Sequence, residues 1–256
     1  MKKRLDVLLV ERGLAESRAQ AQALVLAGRV PGYSKAGTAV EADAELEISE
    51  PPRFVSRGGE KLAHALETLE VDVRGEDCLD VGASTGGFTD CLLQAGAARV
   101  CALDVGYGQL HERLRSDARV TVLERKNVRE LVCGELPFPP TFITCDVSFI
   151  GLAKALPPAL ACAAPGWRAL VLVKPQFEAG RAEVGRGGVV RDRDVHRRVL
   201  REAAARAEEW GGHVVGATDS GLPGPKGNRE FFLYVASGPP RPDAREPDAW
   251  IEAALG

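Results

Sequence analysis

The chain has 256 residues, of which 45% are hydrophobic and 27% charged, and its formal net charge at pH 7 is -3. These values are ordinary for a soluble globular protein of one large domain, or of one small and one medium-sized domain. The net charge does not indicate a nucleic-acid-binding protein. No apolar run approaches the roughly 20 residues of a membrane span, and the N-terminus lacks the apolar segment of a signal peptide, so a cytoplasmic protein is expected.

The first part of the chain is predicted to form a small separate unit. Apolar residues recur at helical spacing from Leu5, which predicts one helix. Ser17 and Gln20 are spaced as in a capping box, which predicts the start of a second helix. Short strand-forming pieces follow around Val30 and over residues 45–48.

The net charge conceals an uneven distribution in this unit. Up to Lys35 the chain carries seven basic residues against three acids, whereas residues 36–50 carry five acids and no base. The seven basic residues are Lys2, Lys3, Arg4, Arg12, Arg18, Arg29 and Lys35. Charge alone leaves two interpretations open, a solvated basic face and a face that binds nucleic-acid phosphates.

Beyond Pro51 and Pro52, which hold the chain extended, residues 53–60 are predicted to be a linker. Strand and helix patterns then alternate, which is typical of an α/β protein with a doubly wound, Rossmann-like sheet. In such sheets, ligands bind outside the carboxyl ends of the strands. The residues at those ends are therefore the candidates for a functional site.

A glycine-rich turn follows the first of these strands and predicts a nucleoside pocket. The strand ends near Asp80, and about twenty residues on, a second apolar run ends at Asp104, where a carboxylate can bind both ribose hydroxyls. Dinucleotides and S-adenosylmethionine both fit such a pocket. Asp80 would repel a pyrophosphate, and Ser84 departs from the dinucleotide fingerprint, so S-adenosylmethionine is favoured. The residues expected around its methionine end are Asp80, Gly82, Ser84, Gly86 and Gly87.

Charged residues mark further strand ends. Asp146 follows the apolar run 142–145, Lys174 follows a continuous apolar run, and Glu230 begins a late strand. Lys61 precedes the glycine-rich turn. A lone lysine at a strand end is ordinarily a solvated surface charge, but the company of Asp146 and Glu230 favours a role for Lys174 in catalysis.

The order of these residues resembles the ribose 2′-O-methyltransferases of the FtsJ type. The matching motifs are Lys61, Asp-Val-Gly-x-Ser-x-Gly-Gly-Phe at 80–88, Cys-Asp-Val at 145–147, Val-Lys-Pro at 173–175 and Asn-Arg-Glu-Phe at 228–231. The resemblance implies S-adenosylmethionine as cofactor, no metal, and a catalytic tetrad. This tetrad consists of Lys61, Asp146, Lys174 and Glu230. It also implies that Asp146 borders the transferred methyl group and that Asn127 lies near the adenine.

Methylation of a ribose requires that the 2′-hydroxyl lose its proton as its oxygen attacks the sulfonium methyl group. Lys174 is the expected base, with Lys61 as a neighbouring cation that favours its free amine. The two acids would hold the lysines in register. A second division of roles, in which Lys174 remains charged and stabilises the developing alkoxide, is also open.

The N-terminal unit resembles the small RNA-binding domain of a ribosomal small-subunit protein, over residues 4–10, 17–21 and 27–30. The stretch after the second helix, at residues 30–33, departs from the usual turn of that domain. Together with Ser-Arg-Gly-Gly-Glu-Lys-Leu at 56–62, these features make nearly the whole chain resemble the TlyA family. The domains implied are an α+β RNA-binding domain at 1–52, the linker at 53–60, a methyltransferase domain at 61–240 and a C-terminal tail or helix at 241–256.

The TlyA resemblance implies 2′-O-methylation of cytidine in ribosomal RNA, with ribosomal subunits as partners. The side chains expected to bind RNA are Lys3, Arg4, Arg18, Arg29, Arg57, Arg181 and Arg186. The last two belong to a glycine- and arginine-rich stretch after Lys174, for which a solvated loop and an RNA-backbone clamp are both open.

Other functions remain as alternatives. A membrane-active protein is raised only by the haemolysin label of the TlyA family, and the sequence has no amphipathic lytic helix. An inactive RNA-binding assembly factor is disfavoured by the complete tetrad. A nicotinamide-dependent oxidoreductase is disfavoured by Asp80 and Ser84.

The six cysteines stand at 78, 91, 101, 133, 145 and 162, with no Cys-x-x-Cys pair. With only four histidines, their spacing predicts no zinc site. We expect them to be reduced structural thiols, as is usual in the cytosol.

Overall fold

The structure is a computed structural model, and it describes residues 2–50, 52–239 and 246–256. The chain divides into two compact units, residues 1–53 and residues 54–256. Each unit has its own hydrophobic core, so each is described by itself.

The small unit is an α+β fold of two helices and a two-stranded antiparallel sheet. Its elements are β1 (Lys2–Arg4), α1 (Leu5–Glu11), α2 (Arg18–Leu26) and β2 (Ala39–Glu41). Ser17 Oγ accepts a hydrogen bond from the Gln20 amide at 3.2 Å, which caps α2 as predicted. The two helices foreseen from the sequence are therefore confirmed.

The predicted strands of this unit were wrong. The strand is Ala39–Glu41, which pairs with Lys2–Arg4, whereas Val30 lies in the core outside any strand. Residues 45–48 turn acids outward and apolar side chains inward, as a strand does. Their backbone pairs with no strand in the described part of the chain. The alternation arises because one side of the segment is turned towards the core and the other side towards solvent.

The large unit is an α/β fold. Its elements are α3 (Arg57–Thr68), β3 (Asp77–Val81), α4 (Gly87–Gln94), β4 (Arg99–Leu103), α5 (Glu112–Arg115), β5 (Val120–Leu123), β6 (Phe142–Cys145), α6 (Leu152–Ala161), β7 (Arg168–Val173), α7 (Pro175–Glu178), α8 (Arg193–Glu209), β8 (Gly212–Asp219), β9 (Phe231–Ser237) and α9 (Pro247–Leu255). Residue 240, at the end of the predicted methyltransferase domain, and residues 241–245, in the predicted C-terminal tail or helix, lie outside the described residues.

Seven strands form one sheet in the order β5-β4-β3-β6-β7-β9-β8. The first five are parallel, and β9 runs antiparallel to both of its neighbours. Residues of α6, α8 and α9 pack on one face, and residues of α3 and α4 pack on the other. The predicted doubly wound α/β sheet is confirmed.

The strand order reverses between β3 and β6, which is where such sheets bind ligands. Asp146 directly follows β6, and Lys174 directly follows β7. Glu230 precedes β9, but β9 is antiparallel and its Phe231 pairs with Val173 at the end of β7. The antiparallel strand thus brings Glu230 to the same edge of the sheet.

The cysteines depart in part from the prediction. Cys133, in a single turn of 3₁₀ helix, and Cys162, just after α6, form a disulfide with a Cα–Cα distance of 4.9 Å. The expectation of six reduced thiols was therefore wrong for this pair, which is separated by 29 residues and has no local motif. The other four are free and buried, and burial raises the pKa of the Cys101 thiol to about 12.

Candidate active site

The four tetrad residues lie together at the carboxyl edge of the sheet. Lys61, Asp146, Lys174 and Glu230 all line one cavity of about 250 Å³, which we call the tetrad cavity. Lys61 reaches it from α3, and the other three reach it from strand ends. Four residues that are far apart in sequence thus converge on one space.

The first pair of the tetrad is a buried ion pair. Lys61 Nζ lies 2.5 Å from Glu230 Oε2, and the Glu230 side chain is fully buried. Glu230 Oε1 also accepts a hydrogen bond from Gln176 Nε2 at 3.2 Å. Both oxygens of Glu230 are therefore engaged, which holds Lys61 in a fixed position.

The second pair is more open. Lys174 forms an ion pair with Asp146, and its Nζ also donates to Ser148 Oγ at 3.1 Å. The Lys174 side chain is 12% exposed and that of Asp146 26% exposed. Lys174 is thus oriented by two oxygen partners while it lines the cavity.

A second cavity, of about 410 Å³, lies beside the first, and we call it the cofactor cavity. Of the residues predicted to bind the cofactor, five line it: Gly82, Ser84, Asp104, Asn127 and Asp146. Asp104 accepts backbone hydrogen bonds from Ser84 at 2.8 Å and Gly106 at 2.7 Å. One acid therefore anchors two loops of this cavity wall.

The two cavities meet at Gly82, Ser84 and Asp146. Gly82 has φ +85°, and a Cβ atom there would stand 2.3 Å from the carbonyl oxygen of Asp146. Only glycine allows the ends of β3 and β6 to approach so closely. The junction between the cavities therefore depends on this residue.

The structure places three predicted cofactor residues elsewhere. Asp80 lines neither cavity, because its carboxylate is fully buried and accepts hydrogen bonds from Thr89 Oγ1 at 2.7 Å and Thr144 Oγ1 at 3.0 Å. Burial raises the pKa of Asp80 to about 6 although both hydroxyls oppose the shift. Gly86 packs under α5, and Gly87 lines the tetrad cavity.

Two of the predicted RNA-binding residues of the small unit, Arg4 and Arg18, are held by Asp6. This buried carboxylate accepts from Arg4 Nε at 3.0 Å, Arg18 Nη2 at 3.0 Å and Gln22 Nε2 at 2.9 Å. These donors, Arg4 first, hold the pKa of Asp6 well below its usual range. Lys3 pairs with Glu11 at 2.6 Å.

The remaining predicted RNA-binding residues differ in their surroundings. Arg29 donates to the Ser49 carbonyl at 2.8 Å, and Arg57 lines the tetrad cavity and donates to the Pro223 carbonyl at 2.6 Å. Arg181 and Arg186 are exposed between α7 and α8 and have no ion pair with any described residue.

The arginines of α8 are engaged within the large unit. Arg197 forms an ion pair with Glu252, and Arg201 contacts Asp248 at 2.8 Å. Both carboxylates belong to α9, so this part of the arginine-rich stretch fastens the C-terminal helix. The open question between a solvated loop and an RNA clamp therefore concerns the exposed Arg181 and Arg186.

Sequence reasoning missed a third cavity, of about 340 Å³, which shares Lys174 and Glu230 with the tetrad cavity. Its wall includes Gln176 and the rings of Phe149 and Phe177, whose centroids are 5.2 Å apart. Phe149 is 88% exposed and has φ +68°. Nothing in the sequence around Phe149 indicates this backbone conformation.

The four tetrad residues, in this order along the chain and on a doubly wound sheet, form the arrangement that the sequence predicts for a methyltransferase. The model of the FtsJ-like methyltransferase family matches residues 54–236, and that of the S4 domain matches residues 3–30. The chain belongs to the FtsJ-like methyltransferase family. Its match covers the seven-stranded sheet except for Ser237, the last residue of β9, and includes all four tetrad residues. The enzyme class expected from the sequence is therefore confirmed.

Named relatives extend over nearly the whole chain. A 16S/23S rRNA (cytidine-2′-O)-methyltransferase TlyA of Mycobacterium tuberculosis is 47% identical, over 91% of this chain and 89% of its own. The protein YqxC of Bacillus subtilis, named an rRNA methyltransferase, is 46% identical over 91% and 85% of the two chains. The resemblance to the TlyA family is thereby confirmed.

Solved structures agree with the fold. A Streptococcus thermophilus protein labelled a hemolysin superimposes with a TM-score of 0.76 and 39% identity, over 99% of this chain and 95% of that one. The hemolysin label is the name given to the Streptococcus thermophilus protein. In the present chain, no helix among the described residues is long and apolar enough to cross a bilayer.

Proposed function

We propose that this methyltransferase uses S-adenosylmethionine to methylate the 2′-oxygen of a cytidine in ribosomal RNA, in the cytoplasm. One observation carries the proposal: both lysine–carboxylate pairs line a cavity that joins the cofactor cavity at Gly82, Ser84 and Asp146. The names of the relatives support the substrate, since they are rRNA methyltransferases and one is specified for cytidine.

The residues of the cofactor cavity fit S-adenosylmethionine. Its volume of about 410 Å³ lies within the range of small-molecule sites. Each oxygen of Asp104 accepts one backbone hydrogen bond and retains a lone pair for a ribose hydroxyl. Leu103, Val128 and Ile150 provide apolar walls suited to an adenine ring. S-adenosylmethionine, when bound, would supply a methyl group activated by a positively charged sulfur.

Lys174 is the group proposed to act on the 2′-hydroxyl. Asp146 borders both cavities and pairs with Lys174, so it places Nζ where acceptor and donor spaces meet. As a free amine Nζ would accept the hydroxyl proton, and as an ammonium it would stabilise the developing alkoxide. The pH dependence of single-turnover transfer separates the two, because only the first loses rate as Lys174 becomes protonated.

Lys61 and Glu230 support this geometry. Glu230 holds the positively charged end of Lys61 in a fixed position at the wall of the tetrad cavity. Such a preorganised charge stabilises negative charge that develops on the attacking oxygen. We propose that Lys61 contributes electrostatically and that Glu230 positions it.

The S4 domain and the loop arginines are proposed to hold the RNA. Arg4 and Arg18 converge on the buried Asp6, which fixes the direction of both guanidinium groups on the surface of the small unit. Planar guanidinium groups held in this way suit phosphate oxygens. Arg181 and Arg186 would add backbone contacts near the site.

The test is methyl transfer from S-adenosylmethionine to ribosomal subunits that lack 2′-O-methylcytidine, with the product nucleotide mapped by mass spectrometry. We expect 2′-O-methylcytidine, and a loss of at least about 100-fold in rate for Lys174→Ala with unchanged cofactor affinity. Lys154→Ala, an exposed lysine on α6, is the matched control. Cofactor binding without transfer to any subunit would refute the proposal and favour an RNA-binding assembly factor.

A further inference from the structure

The side-chain amide of Gln176 forms a hydrogen bond through its nitrogen but, among the described residues, none through its oxygen. Gln176 lies on α7, two residues after Lys174, and its Nε2 donates to Glu230 Oε1 at 3.2 Å. Its Oε1 is shielded from solvent and accepts no hydrogen bond from any residue in the described ranges. Buried carbonyl oxygens nearly always have a donor in native proteins. This position is therefore suited to a donor that arrives with the substrate.

The chemistry of Glu230 determines which way this amide points. Glu230 is paired with Lys61, so its carboxylate acts only as an acceptor. The amide nitrogen of Gln176 must face that carboxylate, because the reversed amide would bring two acceptor oxygens together. Oε1 is thereby fixed as an acceptor on the other side of the amide.

The other polar side chains of the third cavity have different properties. Lys226 can only donate hydrogen bonds. Both ends of the Asn228 amide bind backbone groups, Val190 N at 3.0 Å and the Gly188 carbonyl at 2.9 Å. Ser148 Oγ accepts from Lys174. Gln176 Oε1 therefore stands out in this cavity as a fixed acceptor for which the described residues provide no donor.

The position of Gln176 relates it to the acceptor nucleotide. The third cavity shares Lys174 and Glu230 with the tetrad cavity. In any nucleotide, the ribose carbon that bears the 2′-oxygen is bonded to the carbon that bears the base. A 2′-oxygen placed at Lys174 therefore leaves its base within reach of the cavity that Gln176 lines.

We propose that Gln176 Oε1 accepts a hydrogen bond from the exocyclic amino group of the target base and so selects cytosine over uracil. Cytosine carries an amino donor at the position where uracil carries a carbonyl acceptor, and a carbonyl there would face Oε1 without a proton between them. Gln176 is thus a specificity-determining residue. The inference rests on the proposed function and adds the origin of its base selectivity.

The experiment compares two RNA substrates that differ only at the methylated position, one with cytidine and one with uridine. The quantity measured is the ratio of kcat/KM for the two RNAs, with the full-length chain. For the wild type we expect cytidine to be preferred by at least about 100-fold, because a buried acceptor discriminates strongly against a substrate that lacks the donor.

Two variants distinguish a role of Gln176 in selecting the base from a role in holding Glu230. Gln176→Met removes both ends of the amide, whereas Gln176→Lys retains a donor to Glu230 but has no acceptor. We expect the ratio to fall at least about tenfold in Gln176→Met and further in Gln176→Lys, which can donate to the uracil carbonyl. Calorimetry with S-adenosylmethionine verifies that each variant is folded.

The outcomes are distinguishable. A ratio unchanged within about twofold, with both rates lowered equally, assigns Gln176 only to holding Glu230 and overturns this inference alone. A wild type without preference between the two RNAs also overturns it. Absence of transfer to the cytidine RNA by the wild type overturns the proposed function and this inference together.

Discussion

Lys61 and Glu230 are separated by 169 residues in the chain and meet at 2.5 Å between Nζ and Oε2, in a position where the carboxylate is fully buried. This contact joins α3 to the beginning of β9. It links the helix before the glycine-rich turn to the antiparallel part of the sheet. The pair consequently contributes to both the site and the stability of the large unit.

Removing one partner of this pair is expected to destabilise the large unit. Glu230→Ala leaves the Lys61 ammonium without its partner, at a cost of about 3–5 kcal/mol in the free energy of unfolding. All three tryptophans lie in the large unit, at 167, 210 and 250, so urea unfolding followed by tryptophan fluorescence reports this unit alone. The double variant Lys61→Met/Glu230→Leu should recover most of the loss while methyl transfer stays absent. A double variant as unstable as the single one would contradict this account.

Asp104 is expected to control cofactor affinity rather than chemistry. Asp104→Ala removes the acceptor of the Ser84 and Gly106 amides as well as the proposed ribose contact. We expect the dissociation constant of S-adenosylmethionine to rise about 10- to 100-fold, as for loss of charged hydrogen bonds, with kcat nearly unchanged at saturation. Calorimetry measures this directly. Asp117→Ala, an acid paired with Arg119 outside the cavity, is the control; an equal loss in both variants would exclude a local role for Asp104.

The arginine-rich stretch after Lys174 contains two arginines whose variants can be compared in RNA binding, one exposed and one held in an ion pair. Arg186 is exposed, whereas Arg201 is held by Asp248 at 2.8 Å. If Arg186 contacts a phosphate, Arg186→Ala should reduce the slope of log affinity against log salt concentration by about one. Arg201→Ala should leave the slope unchanged. Filter binding to ribosomal RNA over a range of salt concentrations measures both, and equal slopes for Arg186→Ala and the wild type would assign that residue to a solvated loop.

The sequence was most informative where an apolar run ended on a charged residue. Asp146 and Lys174 could be assigned to one crevice because parallel strands share a carboxyl edge. Asp80 lies outside the two cavities for a definite reason. The hydroxyl of Thr144 donates a hydrogen bond to Asp80, and Thr144 is the neighbour of Asp80 on the adjacent strand β6, 64 residues away in the chain. The sequence therefore shows the acid but does not show which residue donates to it.

Other features depend on distances that no local pattern encodes. The Cys133–Cys162 disulfide joins a 3₁₀ turn to the end of α6 across 29 residues. Gln176 follows the Lys-Pro dipeptide as an ordinary polar residue, and its relation to Glu230 arises only when β9 pairs with β7. Residues 45–48 are the opposite case, in which a local pattern is present but the predicted structure does not form. They alternate as a strand does but have no partner strand among the described residues.

The buried Asp80 predicts a distinctive dependence of stability on pH. Burial raises its pKa to about 6 in the folded protein, against about 3.9 in an unfolded chain. The folded state therefore favours the protonated acid, so this contribution to stability is complete below about pH 4 and is lost as the pH rises through about 6. A difference of about two pKa units corresponds to roughly 3 kcal/mol at most. Asp80→Asn lacks the titration but retains an oxygen and a nitrogen for the hydroxyls of Thr89 and Thr144.

We expect the free energy of unfolding of Asp80→Asn to rise relative to the wild type between pH 4 and pH 7, by up to roughly 3 kcal/mol. Urea unfolding followed by tryptophan fluorescence at a series of pH values measures the difference. Because Asp80 lines neither cavity, the affinity for S-adenosylmethionine should change less than in Asp104→Ala. Parallel pH profiles for the two proteins would show that the pKa of Asp80 is the same in the folded and unfolded states, with the two threonine hydroxyls compensating fully for its burial.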